Sequence, residues 1–166
     1  MNIVGEDLKG LIKEYKSIGP NGVDLSPIKV YRIPSEFEVY IKGEMRGYIK
    51  GDSFIEGYEA KIELKPKDGF YEIGRGEIVE AVFPFLEVPL DMVAFIFPRS
   101  TFNRLGIMKF ETAVLDSGYK GTPSQSFYFP IPAKIHVDEA WVQVCYFKTN
   151  RKVSKGYSGY YQGKVL

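Results

Sequence analysis

The chain has 166 residues, of which 45% are hydrophobic and 26% charged, so it should form a folded domain rather than a disordered tail. Its 22 basic and 21 acidic residues nearly cancel, and the formal charge of +1 lacks the basic excess expected of a protein that binds polymeric nucleic acid. No apolar run approaches the ~20 residues that span a bilayer and no apolar signal core opens the chain, so we expect a cytoplasmic protein without a membrane partner.

The first predicted element is a helix over residues 6–15. Apolar residues recur there at helical spacing while lysines and glutamates lie opposite, which is the pattern of a helix that packs on one face. The turn-forming sequence between Ser17 and Gly22 ends this helix. The apolar stripe consists of Leu8, Leu11, Ile12 and Tyr15.

Beyond this helix the apolar period changes to two, which predicts β-strands. Phe37, Val39 and Ile41 alternate with polar residues and predict a half-buried strand. Further strands are predicted over residues 58–64, 77–83, 92–97, 108–115, 125–129 and 140–148, and turns of a β-meander at Gly43, Gly47 and Gly51. Many short strands separated by turns indicate a jelly roll, sandwich or barrel. Nothing suggests a second domain within residues 1–166.

Two further local features can be read from the pattern. Residues 99–106 follow the apolar strand 92–97 and predict a short helix that Gly106 stops. Cys145 is the only cysteine, and its apolar neighbours predict a buried and inert thiol.

Several common catalytic motifs are missing. The chain has no P-loop, and Gly74 and Gly76 lack the third glycine of a dinucleotide site. A single His and a single Cys give little support to a zinc-deaminase site or to a Cys/His nucleophile pair. Any metal is therefore expected to be a hard, oxygen-bound ion, and Mg²⁺ is the usual partner of phosphates.

Polar segments at residues 20–26, 98–106 and 113–121 remain as candidates for chemistry. Each alone has a plain structural explanation, since Asp24 can cap a turn, Arg99 can start a helix and Asp116 can close a hairpin. Together and in this order they resemble the motifs of the trimeric dUTPase/dCTP deaminase family. That family carries Pro-x-Gly/Ser-x-Asp-Leu, then Arg-Ser-Ser/Thr running on to Arg-Leu-Gly, then Asp-x-Gly-Tyr/Trp-x-Gly. Gln143 resembles the glutamine of its fourth motif, and residues 157–163 resemble the C-terminal Tyr-x-Gly-x-Tyr-Gln of its deaminase-like branch.

The resemblance implies an all-β fold of the distorted jelly-roll type, the dUTPase-like β-clip, with a short N-terminal helix and one short internal helix. It also implies a homotrimer whose active sites are shared between subunits, and a C-terminal segment, residues 151–166, that closes over the nucleotide. The implied substrate is dUTP, with Mg²⁺ held mainly by the triphosphate.

The same resemblance implies a role for each motif residue. Asp116 aligns with the carboxylate that activates the attacking water, and Tyr119 with the aromatic residue that leaves no space for a ribose 2′-hydroxyl. Asp24 corresponds to the aspartate of the metal site, reaching the ion through water. The residues implied to bind the nucleotide and its phosphates are Arg99, Ser100, Thr101, Arg104, Tyr119, Gln143, Tyr161 and Gln162. Uracil is expected to be read by backbone groups of residues 116–121.

One departure from the family favours hydrolysis over deamination. The deaminase branch carries a glutamate ten residues after the Asp of its third motif, and counting from Asp116 reaches Ser126. A serine is a poor replacement for a general acid/base carboxylate. The predicted function is therefore a dUTP diphosphatase that releases dUMP and pyrophosphate. A dCTP deaminase, alone or bifunctional, and a non-catalytic nucleotide-binding homologue are the alternatives.

Overall fold

The computed structural model describes residues 1–111 and 114–165, and it shows a mostly β protein. The N-terminal strands are β1 (Ser17–Ile18), β2 (Val23–Leu25), β3 (Lys29–Arg32), β4 (Glu38–Lys42), β5 (Met45–Lys50), β6 (Ser53–Glu56), β7 (Ile62–Glu63) and β8 (Phe70–Ile73). They are followed by β9 (Glu77–Val82), β10 (Leu86–Glu87), β11 (Met92–Pro98), β12 (Met108–Lys109), β13 (Val114–Leu115), β14 (Lys120–Gly121), β15 (Ser124–Phe129), β16 (Ala133–His136) and β17 (Val142–Lys148). The described helices are α1 (Gly57–Ala60), α2 (Ser100–Arg104) and a single 3₁₀ turn at Gly5–Leu8.

Two antiparallel five-stranded sheets form the body of the fold. One has the order β1-β2-β17-β11-β13 and the other the order β12-β15-β9-β3-β7. The longest pairing joins β11 to β17, from Met92 opposite Lys148 to Pro98 opposite Val142. The meander β4-β5-β6 and the pairs β10-β14 and β8-β16 complete the structure. The all-β prediction is confirmed at this level.

Among the described residues, one buried cluster takes side chains from both large sheets, and Trp141 lies within it. Its ring centroid lies 5.2 Å from Phe102 of α2 and 5.2 Å from Phe127 of β15. Tyr71 and Phe129 approach it at 6.2 and 6.1 Å. Because these rings come from α2, β8 and β15, their packing fixes α2 against the strands.

The predicted N-terminal helix is wrong in length and type, because only the 3₁₀ turn at Gly5–Leu8 forms. After Gly10 the chain pairs with another segment instead, as Ile12 makes a β-bridge with Leu86. Leu8 and Ile12 are still buried and Leu11 packs against the core, but Tyr15 is 42% exposed, so the predicted apolar stripe is confirmed only in part. The helical spacing was overridden by backbone pairing with a distant segment.

The predicted strand at residues 58–64 is also wrong in its first half. The helix α1 occupies these positions, and the Glu56 carboxylate caps it by accepting a hydrogen bond from the Gly57 N–H at 3.2 Å. Only Ile62–Glu63 is a strand. The predicted strand at residues 108–115 is divided between β12 and β13, which pair with different sheets, and its residues 112 and 113 lie outside the described residues.

The β-meander was predicted correctly, but not the turn at Gly47 and not its burial. Gly43 and Gly51 form its turns with φ of +59° and +62°, a conformation that favours glycine. Gly47 instead lies within β5, where a β-carbon would overlap the carbonyl oxygen of Ile55. Val39 and Ile41 are 62% and 72% exposed, so the predicted half-buried face is wrong.

The other predicted strands and the internal helix are confirmed. Residues 77–83, 92–97, 125–129 and 140–148 correspond to β9, β11, β15 and β17, and residues 99–106 contain α2. Cys145 is buried as predicted. Within the part of the chain that the structure describes, helices are too short to cross a membrane.

Replacing Phe127 with alanine is expected to lower the free energy of unfolding by about 3–5 kcal/mol, because it leaves a cavity beside Trp141. Denaturant unfolding followed by the fluorescence of Trp141, the only tryptophan, measures the loss. The exposed Ile62 of β7 provides the control, and Ile62→Ala should change stability by less than about 0.5 kcal/mol. Equal effects from the two substitutions would contradict the position of the core.

Candidate functional site

One group of predicted site residues lies in a row across β2, β17 and the end of β11. Asp24 pairs in register with Gln143, which pairs with Phe97, and Arg99 follows directly after β11. Arg99 Nη1 lies 2.9 Å from Asp24 Oδ1 and 2.8 Å from Oδ2. Gln143 Nε2 donates to Asp24 Oδ1 at 3.3 Å. The adjacency of these strands therefore joins three motifs that are far apart in the sequence.

The Asp24 carboxylate is buried, and both of its oxygens are engaged. Ser17 Oγ donates to Oδ2 at 2.9 Å, which adds to the contacts with Arg99 and Gln143. The guanidinium balances the carboxylate charge, as a buried acid requires. Burial, reinforced by the charge of Asp24, raises the pKa of the Cys145 thiol. A higher thiol pKa leaves less of the reactive thiolate, which agrees with the predicted inert cysteine.

The donor set argues against a metal ion bound directly here. The described residues contain no group of three or more His, Cys, Asp and Glu side chains that could hold an ion. A cation approaching Asp24 directly would have to displace Arg99. These residues therefore fit an ion that contacts Asp24 through a water molecule.

The helix α2 carries the remaining residues of the second motif. The Arg99 backbone N–H donates to the Trp141 carbonyl oxygen at 2.9 Å, which anchors the start of the helix to the sheet. Ser100, Thr101 and Arg104 are exposed on it, and Arg104 occupies its last turn. Their hydroxyl and guanidinium groups are therefore available to an anionic ligand.

A second group of predicted residues lines a cavity of about 600 Å³. The walls come from the meander, from residues 114–126 and from the end of the chain. Asp116, Tyr119 and Tyr161 belong to these walls. Among the described lining residues, Arg99, Ser100 and Gln143 are absent, so one chain does not bring the two groups together.

The turn at Asp116–Tyr119 is held firmly to the rest of the fold. The Tyr119 N–H donates to the Asp116 carbonyl at 3.0 Å, and the segment exchanges backbone hydrogen bonds with Val88 at 2.7 and 2.8 Å. The Asp116 side chain is exposed to the cavity, whereas Tyr119 is buried. Burial, with a smaller effect from Tyr157, raises the pKa of Tyr119 to about 12. Its hydroxyl therefore stays protonated at neutral pH.

Residues 151–165, here called the C-terminal strap, lie against this turn. Tyr157 N–H donates to the Ser117 carbonyl at 2.8 Å, and Gly163 N–H donates to the Lys120 carbonyl at 2.8 Å. Gly118 has φ of +88°, and a β-carbon there would lie 2.8 Å from Gly156 Cα. Glycine is thus required at position 118 both for the turn and for the close approach of the strap.

Gln162 is placed on the turn itself. Its Oε1 accepts a hydrogen bond from the Lys120 backbone N–H at 2.9 Å, and its Nε2 donates to the Gly118 carbonyl at 2.8 Å. These are backbone groups of the segment that was predicted to read uracil. The described contacts do not include one between Gln162 and Arg99 or Ser100, and the phosphate role of Gln162 stays a prediction.

The aromatic residues of the strap contact the meander. The Arg46 guanidinium of β5 lies 4.8 Å from the Tyr160 ring centroid and 5.6 Å from that of Tyr161. Arg46 Nη1 also donates to the Tyr161 hydroxyl at 3.4 Å. Cation–π contacts therefore connect the strap to the opposite wall of the cavity.

Sequence reasoning missed a buried ion pair in the cavity wall. Lys61 Nζ lies 3.1 Å from Glu80 Oε2, and both side chains are almost fully buried. Lys61 Nζ also lies 4.5 Å from the ring centroid of Tyr58. The signal that could have revealed Glu80 is its place between Val79 and Ala81, in a strand otherwise rich in apolar residues.

Comparison with known proteins gives a consistent result. The profile of a family described as dCTP deaminase-like matches residues 5–138. A probable deoxyuridine 5′-triphosphate nucleotidohydrolase of Methanosarcina barkeri is 31% identical over 95% of this chain and 87% of its own length. The deoxyuridine 5′-triphosphate nucleotidohydrolase of Methanocaldococcus jannaschii is 27% identical over 91% of this chain and 90% of its own length. Other relatives carry the name dCTP deaminase.

A solved structure shares the fold. The 2′-deoxycytidine 5′-triphosphate deaminase of Agrobacterium tumefaciens superimposes with a TM-score of 0.61 and 15% identity. The match covers 87% of this chain but only 48% of that protein, so the chain spans about half of its length.

Gln162→Ala is expected to speed amide hydrogen exchange at Lys120, because it removes the acceptor 2.9 Å from that N–H. NMR-detected exchange measures this rate at a single residue. The matched control is Gln143→Ala, since the Gln143 carboxamide bonds Asp24 and should leave Lys120 unchanged. Unaltered exchange at Lys120 in Gln162→Ala would contradict the docked position of the strap.

Proposed function

The chain belongs to the dCTP deaminase-like family, and we propose that it is a dUTP diphosphatase, which hydrolyses dUTP to dUMP and pyrophosphate. The observation that carries this proposal is the position of Asp116 and Tyr119 together in one cavity. The names of the nucleotidohydrolases of M. barkeri and M. jannaschii support it. Ser126 lines the same cavity and offers no carboxylate for deamination.

In the proposed reaction, water attacks a phosphorus atom of the triphosphate and pyrophosphate leaves. Charge spreads over the phosphoryl oxygens in the transition state. Positioning of the reactants and electrostatic stabilisation therefore account for most of the reduction of the activation barrier. Asp116, exposed in the cavity, orients the water and accepts its proton. Tyr119 packs against the deoxyribose and excludes a 2′-hydroxyl by its bulk.

The group around Arg99 suits the triphosphate. Its guanidinium and that of Arg104 offer planar donors to phosphate oxygens, and Ser100 and Thr101 add hydroxyls. Gln143 adds an amide donor beside Arg99. A Mg²⁺ ion that arrives with the nucleotide would neutralise phosphate charge, and Asp24 would reach it through water because Arg99 already occupies its oxygens.

The separation of the two groups within one chain suggests that each active site is shared. Asp116 and Tyr119 of one subunit would meet Arg99, Ser100 and Gln143 of another. A closed ring of identical subunits provides such heterologous contacts at every interface. We therefore propose a homotrimer in which neighbouring copies complete each site.

The proposed activity predicts pyrophosphate release from dUTP in the presence of Mg²⁺, and no ammonia release from dCTP. Asp116→Asn should lower turnover of dUTP by at least about 100-fold, since it removes the base that activates water. It should still bind the nucleotide, as calorimetry can measure. The exposed Asp91 lies outside the cavity, and Asp91→Asn is the control that should keep full activity.

Unchanged turnover in Asp116→Asn would reject the role of that residue. Ammonia from dCTP without pyrophosphate from dUTP would replace the diphosphatase with a deaminase. Nucleotide binding with neither product would indicate a non-catalytic member of the family.

A mixture of two inactive variants tests the shared site. Asp116→Asn and Arg99→Ala should each be inactive alone, but mixed assemblies should recover about a quarter of the sites if each site takes these residues from different subunits. Co-refolding at equal amounts followed by a dUTP assay measures the recovery. A mixture that remains inactive although mixed assemblies form would show that one subunit supplies both residues.

A further inference from the structure

Arg46 belongs to no motif, but it is the point at which the meander contacts the strap. Of the residues that the structure describes in β4–β6, it alone makes a hydrogen bond or a ring contact with the strap. Its guanidinium lies close to the rings of Tyr160 and Tyr161 and donates to the Tyr161 hydroxyl. These contacts on the meander side of the cavity therefore depend on one side chain.

The side chain of Arg46 is fixed by the hairpin that carries it. Its backbone pairs with Ile41 of β4, and its Nε donates to the Gly43 carbonyl oxygen in the turn at 3.1 Å. A guanidinium that is already held at one end loses little conformational freedom when its other end contacts a partner. The hairpin thus presents a preorganised cation to the cavity, which Arg46 and Ile41 both line.

The charge of Arg46 is met by aromatic rings rather than by a carboxylate. Among the described residues, no acidic side chain forms an ion pair with it. The rings of Tyr160 and Tyr161 are nearly perpendicular, with centroids 4.9 Å apart, and Lys164 Nζ lies 3.8 Å from the Tyr160 ring as a second cation. The face of an aromatic ring carries partial negative charge and attracts cations. This end of the strap therefore favours a cation from the meander.

The other side of the strap is attached through its backbone. The N–H groups of Tyr157 and Gly163 donate to the carbonyl oxygens of Ser117 and Lys120, each at 2.8 Å. Both bonds join the strap to the turn, and neither reaches the meander. Loss of the Arg46 contacts should therefore free the strap on the side of the meander while it stays attached to the turn.

We propose that Arg46 is a positioning residue, which holds the strap across the cavity and thereby lengthens the time that a nucleotide stays bound. The contact with the strap needs only the fold, whereas its effect on a nucleotide rests on the proposed function. Arg46 does not contact the reacting atoms in this scheme. It acts through Tyr160 and Tyr161, and a weaker contact opens one side of the cavity, from which the ligand can leave.

Hydrogen exchange of the full-length protein without nucleotide tests the contact itself. Arg46→Met removes the cation but keeps an unbranched side chain, so the Gly163 N–H should exchange about fivefold faster. Arg46→Lys keeps a cation, and its exchange should be slower than that of Arg46→Met. The matched control is Lys50→Met, because Lys50 lies on the same strand but contacts the ring of Phe37, 5.4 Å away, and not the strap. Amides of the β4–β5 ladder should keep their rates in every variant.

A double-mutant cycle tests whether Arg46 acts through Tyr160. Tyr160→Leu keeps an apolar side chain but removes the ring, and it should also speed exchange at Gly163. In that background Arg46→Met should add no more than about a twofold increase, because most of its partner is already gone. Residues that acted independently would instead multiply their effects.

The effect on the nucleotide is measured with dUTP and Mg²⁺ on protein that carries Asp116→Asn to prevent turnover. Surface plasmon resonance gives the dissociation rate of dUTP. This rate should be about fivefold faster after Arg46→Met and unchanged after Lys50→Met, since only the first substitution releases the strap.

Three results would overturn the inference. Exchange at Gly163 that is the same in the parent and in Arg46→Met would refute the contact and leave the proposed function intact. Multiplied effects in the cycle would show that Arg46 does not act through Tyr160. An unchanged dissociation rate despite faster exchange would show that the contact does not retain the nucleotide.

Failure of the Asp116→Asn protein to bind dUTP would refute the proposed function together with the second half of the inference. The exchange measurement uses no nucleotide, so it would still decide whether Arg46 holds the strap.

Discussion

The pairing of β17 with β2 on one side and with β11 on the other is the constraint on which the candidate site depends. Register alone brings Asp24 opposite Gln143, and the end of β11 then delivers Arg99 to the same carboxylate. In the resulting ion pair the Asp24 carboxylate is buried. Without this alignment that carboxylate would lack the Arg99 guanidinium, and a buried charge without a partner is unfavourable. The same pairing places Trp141 beneath α2, so packing of the core and position of the polar row are set together.

The sequence predicted most of the sheet but not the elements whose form depends on distant partners. Short apolar runs located β9, β11, β15 and β17. β15 buries every second residue, whereas the last four residues of β9 are all buried. The stripe from Leu8 to Ile12 suited a helix equally well, and its bridge to Leu86 could not be read locally. Val39 and Ile41 alternate with polar residues as buried residues would, yet they line a cavity. Periodicity shows which face of a strand is apolar, but not whether other residues cover that face.

The candidate site was predictable to a similar extent. Motif order identified Asp116, Tyr119 and Arg99 as residues of interest, and the strand topology explains why Asp24 and Gln143 join Arg99. Their division between two places in one chain was not visible in motif spacing, because spacing along the sequence carries no information on how far apart the motifs lie in the fold. Glu80 escaped notice for a different reason: it belongs to no motif, and only its burial and its unbonded oxygen distinguish it.

The docking of Gln162 on the turn has a consequence for how affinity should be measured. A pyrimidine that bonds the Lys120 N–H and the Gly118 carbonyl must first displace the Gln162 carboxamide of the strap from them. The observed dissociation constant is then the intrinsic one divided by the fraction of molecules whose strap is undocked. Removal of the strap would accordingly tighten binding of a free pyrimidine base. It would also remove the contacts that the strap could make to the rest of a nucleotide. The two effects would oppose each other, so in the proposed site the strap would compete for one end of the ligand and hold the other.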